Sequence, residues 1–199
     1  MTATPESHWE HTVNEWSNGQ FSWLLNFVPQ NINVVYDIWA NVGGFTHVLH
    51  DRLPKAKFYC FEPVELNYKL LVERVPYATC FDVGIFYGAT ESRALWRGSN
   101  VGAFFVEHIN SGDPRVESGM TMKLTELELL DIEKPDLIKM DIEGSEENVI
   151  ANSSIVQGCP NLIVEWHPDH VDCFEFFKKY LPNHKIVVNL EDKQFLLSL

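Results

Sequence analysis

The chain has 199 residues, of which 45% are hydrophobic and 13% aromatic, enough to bury one substantial core and form a single domain over 1–199. Its formal net charge of -13 at pH 7 argues against a nucleic-acid partner, because affinity for nucleic acid depends largely on Lys and Arg that neutralise phosphates. The first residues lack the basic and then apolar run of a secretory signal, and no long apolar stretch follows. A cytoplasmic protein with no membrane partner is therefore expected.

The cysteines and the N-terminal tryptophans favour structural roles. The four cysteines stand singly, without the CxxC spacing of zinc or redox sites, so buried reduced thiols are expected. Residues 1–30 are predicted to be helical, and Trp9, Trp16 and Trp23 would share one face of a continuous helix, although Gly19 can break it. Core packing is the favoured role for these rings.

Strand and helix patterns alternate along most of the chain, which predicts an α/β domain with a mainly parallel sheet. The first half is a βαβαβ unit with strands 33–38, 57–62 and 78–83 and helices 44–52 and 65–74. These strands are apolar on both faces, as buried parallel strands are. A short strand is predicted near 93–96, and the Gly, Ser and Pro residues scattered over 98–119 indicate a surface loop that shapes a substrate pocket.

The second half resumes the alternation and then changes character. The predicted elements are helices 125–132, 145–152 and 169–180 and strands 136–141 and 161–166. Two strand-like runs, 185–190 and 194–199, are separated by three polar residues. This pattern predicts an antiparallel hairpin at the end of the sheet.

Acidic residues stand at five successive strand ends of this prediction. They are Asp37, Glu62, Asp82, Asp141 with Glu143, and Glu165 with His167. Ligands of an open parallel sheet bind outside the carboxyl ends of its strands. Carboxylates accept hydrogen bonds from ribose hydroxyls, an adenine amine or an ammonium, and they repel phosphate. The chain is therefore expected to bind a nucleoside that carries little or no phosphate.

The first three acids can be assigned to parts of such a ligand. Glu62 lies roughly 20–25 residues past the glycine turn, where an acid holds both ribose hydroxyls. Asp82 is placed to take the adenine amino group, and Asp37 to orient the turn or meet a cofactor ammonium. A dinucleotide would require G-x-G-x-x-G, which residues 38–43 do not supply, so an NAD-dependent oxidoreductase is disfavoured.

These residues resemble the FkbM-like family of S-adenosylmethionine-dependent methyltransferases, within the Rossmann-like class I group. The family turn D-x-G-A-N-x-G corresponds to 37–43, F-E-P to 61–63, and L-x-x-L to 124–127. The most specific run, D-x-x-K-x-D-x-E-G-x-E, is intact at 136–146, and a strand with an acid and a histidine follows at 164–167. The resemblance covers most of the chain.

The resemblance implies a three-layer Rossmann-like fold with a mostly parallel seven-stranded sheet and an antiparallel C-terminal hairpin. It implies transfer of a methyl group from S-adenosylmethionine, usually to an oxygen of a small-molecule or sugar-containing acceptor. The implied cofactor-binding residues are Asp37, Trp39, Ala40, Asn41, Gly43, Glu62, Pro63, Asp82 and Val83.

The catalytic candidates lie in the second half of the chain. Asp141, Glu143 and His167 are candidates for the base that removes the proton of a hydroxyl acceptor, with Lys139 as a structural or electrostatic partner. No metal site is predicted, although the acids could alternatively hold a divalent cation through oxygen ligands.

Each catalytic candidate also has a structural interpretation. Lys139 and Asp141 share one face of a strand and could form an ion pair with Asp136 or Glu165. The run 143–146 is also typical of a helix start capped by Ser145. His167, followed by proline, could simply end a strand.

Trp39 occupies the position of the first glycine in the family turn, where a side chain resists close approach of the backbone to the cofactor. Three consequences are open. The ring could point into the second layer, cover the sulfonium with its indole face, or fill the pocket and abolish binding. In the last case the domain would be a catalytically silent binding or scaffolding module.

Overall fold

The first half of the chain forms the predicted βαβαβ unit behind an N-terminal helix. The computed structural model describes residues 5–19, 21–96, 104–107, 120–168, 171–191 and 193–199. Helix α1 (Pro5–Ser17) and a 3₁₀ turn (Leu24–Phe27) come first. They are followed by β1 (Val34–Ile38), α2 (Gly44–Arg52), β2 (Lys57–Phe61), α3 (Glu65–Arg74) and β3 (Thr79–Phe81).

The second half returns to the other side of β1. A small second sheet comes first, with β4 (Gly84–Ile85), β5 (Glu91–Trp96), β6 (Phe104–Glu107) and β7 (Met120–Thr125), followed by a 3₁₀ turn at Leu127–Leu129. The main sheet resumes with β8 (Leu137–Met140), α4 (Glu146–Asn152), α5 (Ser154–Gly158), β9 (Asn161–Glu165), α6 (Cys173–Tyr180), β10 (Lys185–Leu190) and β11 (Gln194–Ser198).

The main sheet has seven strands in the order β10-β11-β9-β8-β1-β2-β3. The pairs among β9, β8, β1, β2 and β3 are parallel, and β11 pairs antiparallel with both β9 and β10. The predicted sheet and its C-terminal hairpin are thus confirmed. Because the chain moves outward from β1 to β3 and then resumes at β8, the strand order reverses between β1 and β8, where ligands of open α/β sheets bind.

Both faces of this sheet are buried, which explains its nearly continuous apolar strands. Tyr36 and Ile38 of β1 belong to one core cluster, and Val35 belongs to another that includes Phe45 and Leu49 of α2. Successive side chains of a strand point to opposite faces, so one short apolar run supplies both layers. Helices on the two sides of the sheet complete the three-layer fold.

Three predicted elements differ from the structure. The predicted helix 125–132 is wrong, because residues up to Thr125 form β7 and only a short 3₁₀ turn follows. In β7, buried Met122 and Leu124 alternate with exposed Thr121 and Lys123, which is the period of a strand. The predicted strand 78–83 ends at Phe81, and β4 then begins the second sheet.

The predicted helix 169–180 begins later than expected. Within the described residues, α6 starts at Cys173, and the Asp172 carboxylate accepts hydrogen bonds from the Phe174 and Glu175 amides at its N-terminus. The predicted substrate loop 98–119 falls mostly outside the described residues. Its described part is β6, which pairs antiparallel with β5, so the role of this segment stays a prediction.

The N-terminal segment contains two helical pieces rather than one. Since α1 ends at Ser17, Trp23 lies outside the helix of Trp9 and Trp16. The Trp16 ring is buried. Its centroid lies 4.6 Å from that of the stacked Phe21 ring and 4.7 Å from that of the edge-on Phe45 ring, which agrees with core packing. None of the four cysteines, all of which are described, forms a disulfide bond, and three of them are buried. No described helix combines the length and apolar character needed to cross a bilayer.

Candidate active site

A cavity of about 220 Å³ lies at the carboxyl ends of β8 and β9, beneath α1. Its lining is mostly acids, histidines and other polar groups: His8, His11, Thr12, Glu15, Phe21, Asn41, Asp141, Glu143, Glu165 and His167. A smaller cavity of about 60 Å³ shares several of these residues and reaches the turn after β1. The structure therefore brings together the acids predicted at the ends of the fourth and fifth strands, Asp141, Glu143 and Glu165. They lie near the point where the strand order reverses.

The turn after β1 is held in left-handed backbone conformations. The φ angles are 66° at Trp39, 54° at Asn41 and 96° at Gly43. The amides of Trp39 and Ala40 donate hydrogen bonds of 2.9 and 3.0 Å to the Phe61 carbonyl oxygen at the end of β2. Left-handed torsions cost an ordinary residue roughly 1–2 kcal/mol. These bonds and the surrounding packing therefore hold Trp39 in a conformation that glycine would adopt freely.

The Trp39 side chain is 4% exposed and belongs to the core cluster that also contains Phe61, Val64 and Ile142. This burial agrees with the first of the three consequences considered from the sequence, in which the ring packs into the second layer. Trp39 also borders the smaller cavity. The substituted turn is thus next to open space even though its largest side chain is buried.

Lys139 holds this turn from the neighbouring strand β8. Its Nζ donates a 2.9 Å hydrogen bond to the Trp39 carbonyl oxygen and lies 3.3 Å from Asp37 Oδ1 and 3.9 Å from Asp141 Oδ2. Burial lowers the pKa of Lys139, but the charges of Asp37 and Asp141 outweigh it and raise the pKa above its ordinary value. Asp37 is fully buried, and its other oxygen accepts a 2.7 Å hydrogen bond from Thr46.

The ion-pair partners of Lys139 differ from those expected. Asp136 accepts hydrogen bonds from the backbone amides of Asn33 and Val34, at 2.8 and 3.1 Å. It therefore ties the start of β1 to the strand beside it. The ion pairs of Lys139 are with Asp37, opposite it in the parallel register of β8 and β1, and with Asp141. They are not with Asp136 or Glu165, the two alternatives considered from the sequence.

Glu62 connects the turn to the start of α3. Its side chain is fully buried, with Oε2 accepting a 2.7 Å hydrogen bond from the Asn41 amide and Oε1 a 2.9 Å hydrogen bond from the Val64 amide. Burial raises the pKa of Glu62 to about 7, although these two backbone hydrogen bonds lower it in part. The carboxylate thus organises the turn, and ribose hydroxyls would have to use its remaining lone pairs.

The other predicted cofactor residues of this half lie away from the two cavities, whose linings contain none of them. Asp82 is partly exposed, and its Oδ2 lies 3.4 Å from Lys123 Nζ. Val83 packs half-buried against the core, and Pro63 is buried. The prediction that Asp82 takes the adenine amino group stays a prediction.

His167 lies at the centre of a group of four acids, called here the acidic cluster: Asp141, Glu143, Glu146 and Glu165. Its Nδ1 is 2.9 Å from Glu146 Oε1, and its Nε2 is 3.6 Å from Glu143, 3.9 Å from Asp141 and 4.0 Å from Glu165. Burial lowers the pKa of His167, but the hydrogen bond to Glu146 and the surrounding acids outweigh it and raise the pKa to about 9. In this arrangement His167 is protonated at neutral pH and is a poor proton acceptor.

The carboxyl groups of Glu143 and Glu165 also have raised pKa values, and burial is the main cause. Burial and the charge of Asp141 raise the pKa of each to about 7, although His167 lowers it in part. Glu143 has a φ of 52°, and Gly144, the residue after it, has a φ of 105°. This pair of left-handed residues turns the chain sharply after β8, with Glu143 at the edge of the larger cavity.

Glu146 holds this loop, a role that the sequence analysis missed. It is fully buried and accepts hydrogen bonds of 3.1 Å from the amides of Ile142 and Gly144. Ser145 occupies the position before α4 as predicted, but its side chain makes no capping hydrogen bond. The final acid of the motif therefore organises the loop and orients His167.

The face of α1 that covers the cavity was also missed. His8, His11, Thr12 and Glu15 line the cavity, and their spacing of three to four residues places them on one helix face. That spacing was the signal available in the sequence. His8 Nε2 lies 2.8 Å from Asn41 Oδ1, and a Cβ on Gly44 would lie 2.7 Å from Thr12, so α1 packs directly on the start of α2.

The methyltransferase FkbM domain family matches residues 37–195 of this sequence. The chain belongs to this family. The match begins at the turn of Asp37, includes all residues of the acidic cluster, and ends in β11. No curated protein matches the sequence significantly.

Solved structures show the same fold at low sequence identity. The methyltransferase FkbM of Methylobacillus flagellatus KT is 16% identical with a TM-score of 0.58, over 98% of this chain and 50% of that one. A chain of a fibrillarin/Nop5p complex is 16% identical with a TM-score of 0.51, over 92% and 81%. The StiE O-MT is 11% identical with a TM-score of 0.50, over 92% and 56%. The chain thus spans about half the length of the FkbM protein it resembles.

Proposed function

We propose that this FkbM domain transfers a methyl group from S-adenosylmethionine to an oxygen of a small-molecule or sugar-containing acceptor. The observation that carries the proposal is the family match over residues 37–195. The acid-lined cavity beside the turn after β1 supports it, because this is where an α/β sheet with reversed strand order binds its ligand.

The cavity suits the positively charged end of the methyl donor. The methionine part of S-adenosylmethionine carries an ammonium, a sulfonium and a carboxylate, so its net charge is positive. The cavity lining includes the carboxyl groups of Glu15, Asp141, Glu143 and Glu165. Ala40 and Asn41 border the smaller cavity at the turn. Glu62, one strand away, would hold the ribose through the lone pairs that its backbone contacts leave. When bound, the donor supplies the activated methyl group.

The residues around the cavity would then orient the acceptor and accept its proton. Methyl transfer is an in-line displacement, so close and aligned reactants supply much of the acceleration. Glu143 is the favoured base, since it lies at the cavity edge and its pKa is about 7. Lys139 acts as a positioning residue, because its ammonium is 6% exposed and directed at the turn.

A catalytically silent binding domain is the second candidate function. Two observations favour it: Trp39 replaces the family glycine, and both oxygens of Glu62 already accept backbone hydrogen bonds. Such a domain would keep the fold and the acidic cavity but would bind no methyl donor.

Calorimetry with S-adenosylmethionine and with its demethylated product, S-adenosylhomocysteine, tests the proposal directly. We expect both to bind the full chain and to raise its unfolding temperature. If neither compound binds at millimolar concentration, the result would support the catalytically silent domain and contradict the proposed methyltransferase activity. The step after binding is tested with an isotope-labelled methyl donor and a panel of hydroxyl compounds, followed by mass spectrometry. A product methylated only on nitrogen or carbon would contradict the O-methyltransferase assignment.

A further inference from the structure

We propose that Asp141, Glu165 and His167 form a binding site for one divalent cation at the base of the acid-lined cavity. One ligand atom from each residue lies within 4.8 Å of the others. The proposed use of the cation in methyl transfer depends on the proposed function, but its binding does not.

The distances are close to those that one ion requires. Two ligands that each lie about 2.1 Å from an ion are at most about 4.2 Å apart. His167 Nε2 lies 3.9 Å from Asp141 Oδ1 and 4.0 Å from Glu165 Oε1, so both separations are within that span. The three side chains are 31%, 25% and 25% exposed, so each has room to rotate toward a common point.

The imidazole is already directed as a metal ligand requires. Its Nδ1 lies 2.9 Å from Glu146 Oε1, and Glu146 is fully buried and held by backbone amides. With Nδ1–H donating to this carboxylate, Nε2 faces Asp141 and Glu165. The metal-free imidazole is protonated at neutral pH, so the bound cation would displace the Nε2 proton to the solvent. Histidines that bind metal ions are commonly oriented by such a carboxylate, which also raises the basicity of the ligating nitrogen.

An independent observation on the neighbouring strand β11 points to a missing donor at this site. Gln194 lies directly opposite Glu165 in the β9–β11 pair, so the two side chains share a face of the sheet. Gln194 is 8% exposed, and its Oε1 has no hydrogen-bond partner within the described part of the chain. With Asp141 and Glu165 it lines a cavity of about 10 Å³, room for one water molecule. A water bound to the cation would supply the hydrogen bond that this buried oxygen lacks.

The donor set indicates the class of cation. Two carboxylates and one imidazole combine the oxygen ligands that suit Mg²⁺ and Mn²⁺ with the nitrogen ligand that suits later transition metals. Mn²⁺ accepts both kinds and is the probe of choice. Glu143 lies 3.6 Å from His167 Nε2 but is outside the three-residue set. A cation held by this set would bind the acceptor oxygen and lower the pKa of its hydroxyl.

The test is binding of Mn²⁺ alone to the full chain after removal of metals with a chelator. We expect saturable binding of one ion by calorimetry, and nitrogen coupling from His167 in the electron spin-echo spectrum. Asp141→Asn and Glu165→Gln should each weaken binding by about tenfold or more. Glu175→Gln, which changes the charge equally on the exposed face of α6, should leave binding unchanged.

Two results would overturn the site. One is the absence of saturable binding of Mn²⁺, Mg²⁺ and Zn²⁺ at millimolar concentration. The other is Mn²⁺ binding that lacks nitrogen coupling and is unaffected by Asp141→Asn, which indicates an adventitious ion only. Circular dichroism and unfolding temperatures show whether each variant is folded. Because the titration contains no methyl donor, failure of the metal site and failure of donor binding are separate outcomes.

Discussion

Lys139 Nζ donates a hydrogen bond of 2.9 Å to the carbonyl oxygen of Trp39, one hundred residues earlier in the chain. The same ammonium is 3.3 Å from Asp37 Oδ1. A buried cation thus holds both the acid that precedes the turn and the residue that replaces its glycine. This contact joins the turn motif at 37–43 to the motif at 136–146, because β8 lies next to β1 in the sheet.

Replacement of Lys139 by methionine should destabilise the protein strongly. Asp37 is fully buried, and loss of one partner of a buried ion pair leaves an uncompensated charge that costs about 3–5 kcal/mol. Urea denaturation of the variant measures this loss of the free energy of unfolding. Lys123→Met, at an exposed surface ion pair, is the matched control and should cost at most about 1 kcal/mol. Equal effects of the two variants would refute the structural role of Lys139.

Replacement of Trp39 by glycine should keep or improve the affinity for S-adenosylmethionine. Glycine adopts the φ of 66° freely, but loss of the buried ring should lower the free energy of unfolding by a few kcal/mol. Calorimetry and denaturation measure the two effects separately. Trp39→Phe retains a ring and the strained turn, and serves as the control. A tenfold loss of affinity in the glycine variant alone would show instead that an aromatic ring at this position covers the donor.

Replacement of Glu62 by alanine should weaken S-adenosylmethionine binding by more than tenfold. The variant loses the proposed ribose contacts and the hydrogen bond that fixes the Asn41 amide. Calorimetry of the folded variant gives the affinity, and Glu65→Ala, at an exposed acid three residues later, is the control. An affinity equal to that of the wild type would remove Glu62 from the ribose site.

Glu62 should also make stability depend on pH. Its pKa is raised from 4.5 to about 7 in the folded state, so between these values the folded protein binds more protons than the unfolded chain. The free energy of unfolding therefore falls as pH rises through this window, by on the order of 3 kcal/mol from this group. Glu62→Gln cannot titrate and should lack that share of the decrease. Denaturation of both proteins across the window measures the difference, and parallel curves would contradict the assignment.

Regular elements with strong local patterns were predictable, and those that depend on distant partners were not. The apolar runs of β1 and β2 and the polar turn between β10 and β11 encode their own conformation. The residues of β7 are uninformative alone, because their alternation matters only once β5 offers an edge for pairing. The predicted helix over 125–132 failed because Thr125 pairs with Ile85 of β4 and only a 3₁₀ turn follows it.

The sequence by itself determined the family, the seven-stranded sheet and the acids at its strand ends, since motif spacing and apolar periodicity are local properties of the chain. Only the tertiary structure decided what each acid contacts. Parallel register places Lys139 opposite Asp37, and burial directs Glu62 and Glu146 to backbone amides while Asp141 and Glu165 face the cavity. The physical reason is that solvent exclusion and nearby charge act through space, between residues that the sequence holds far apart.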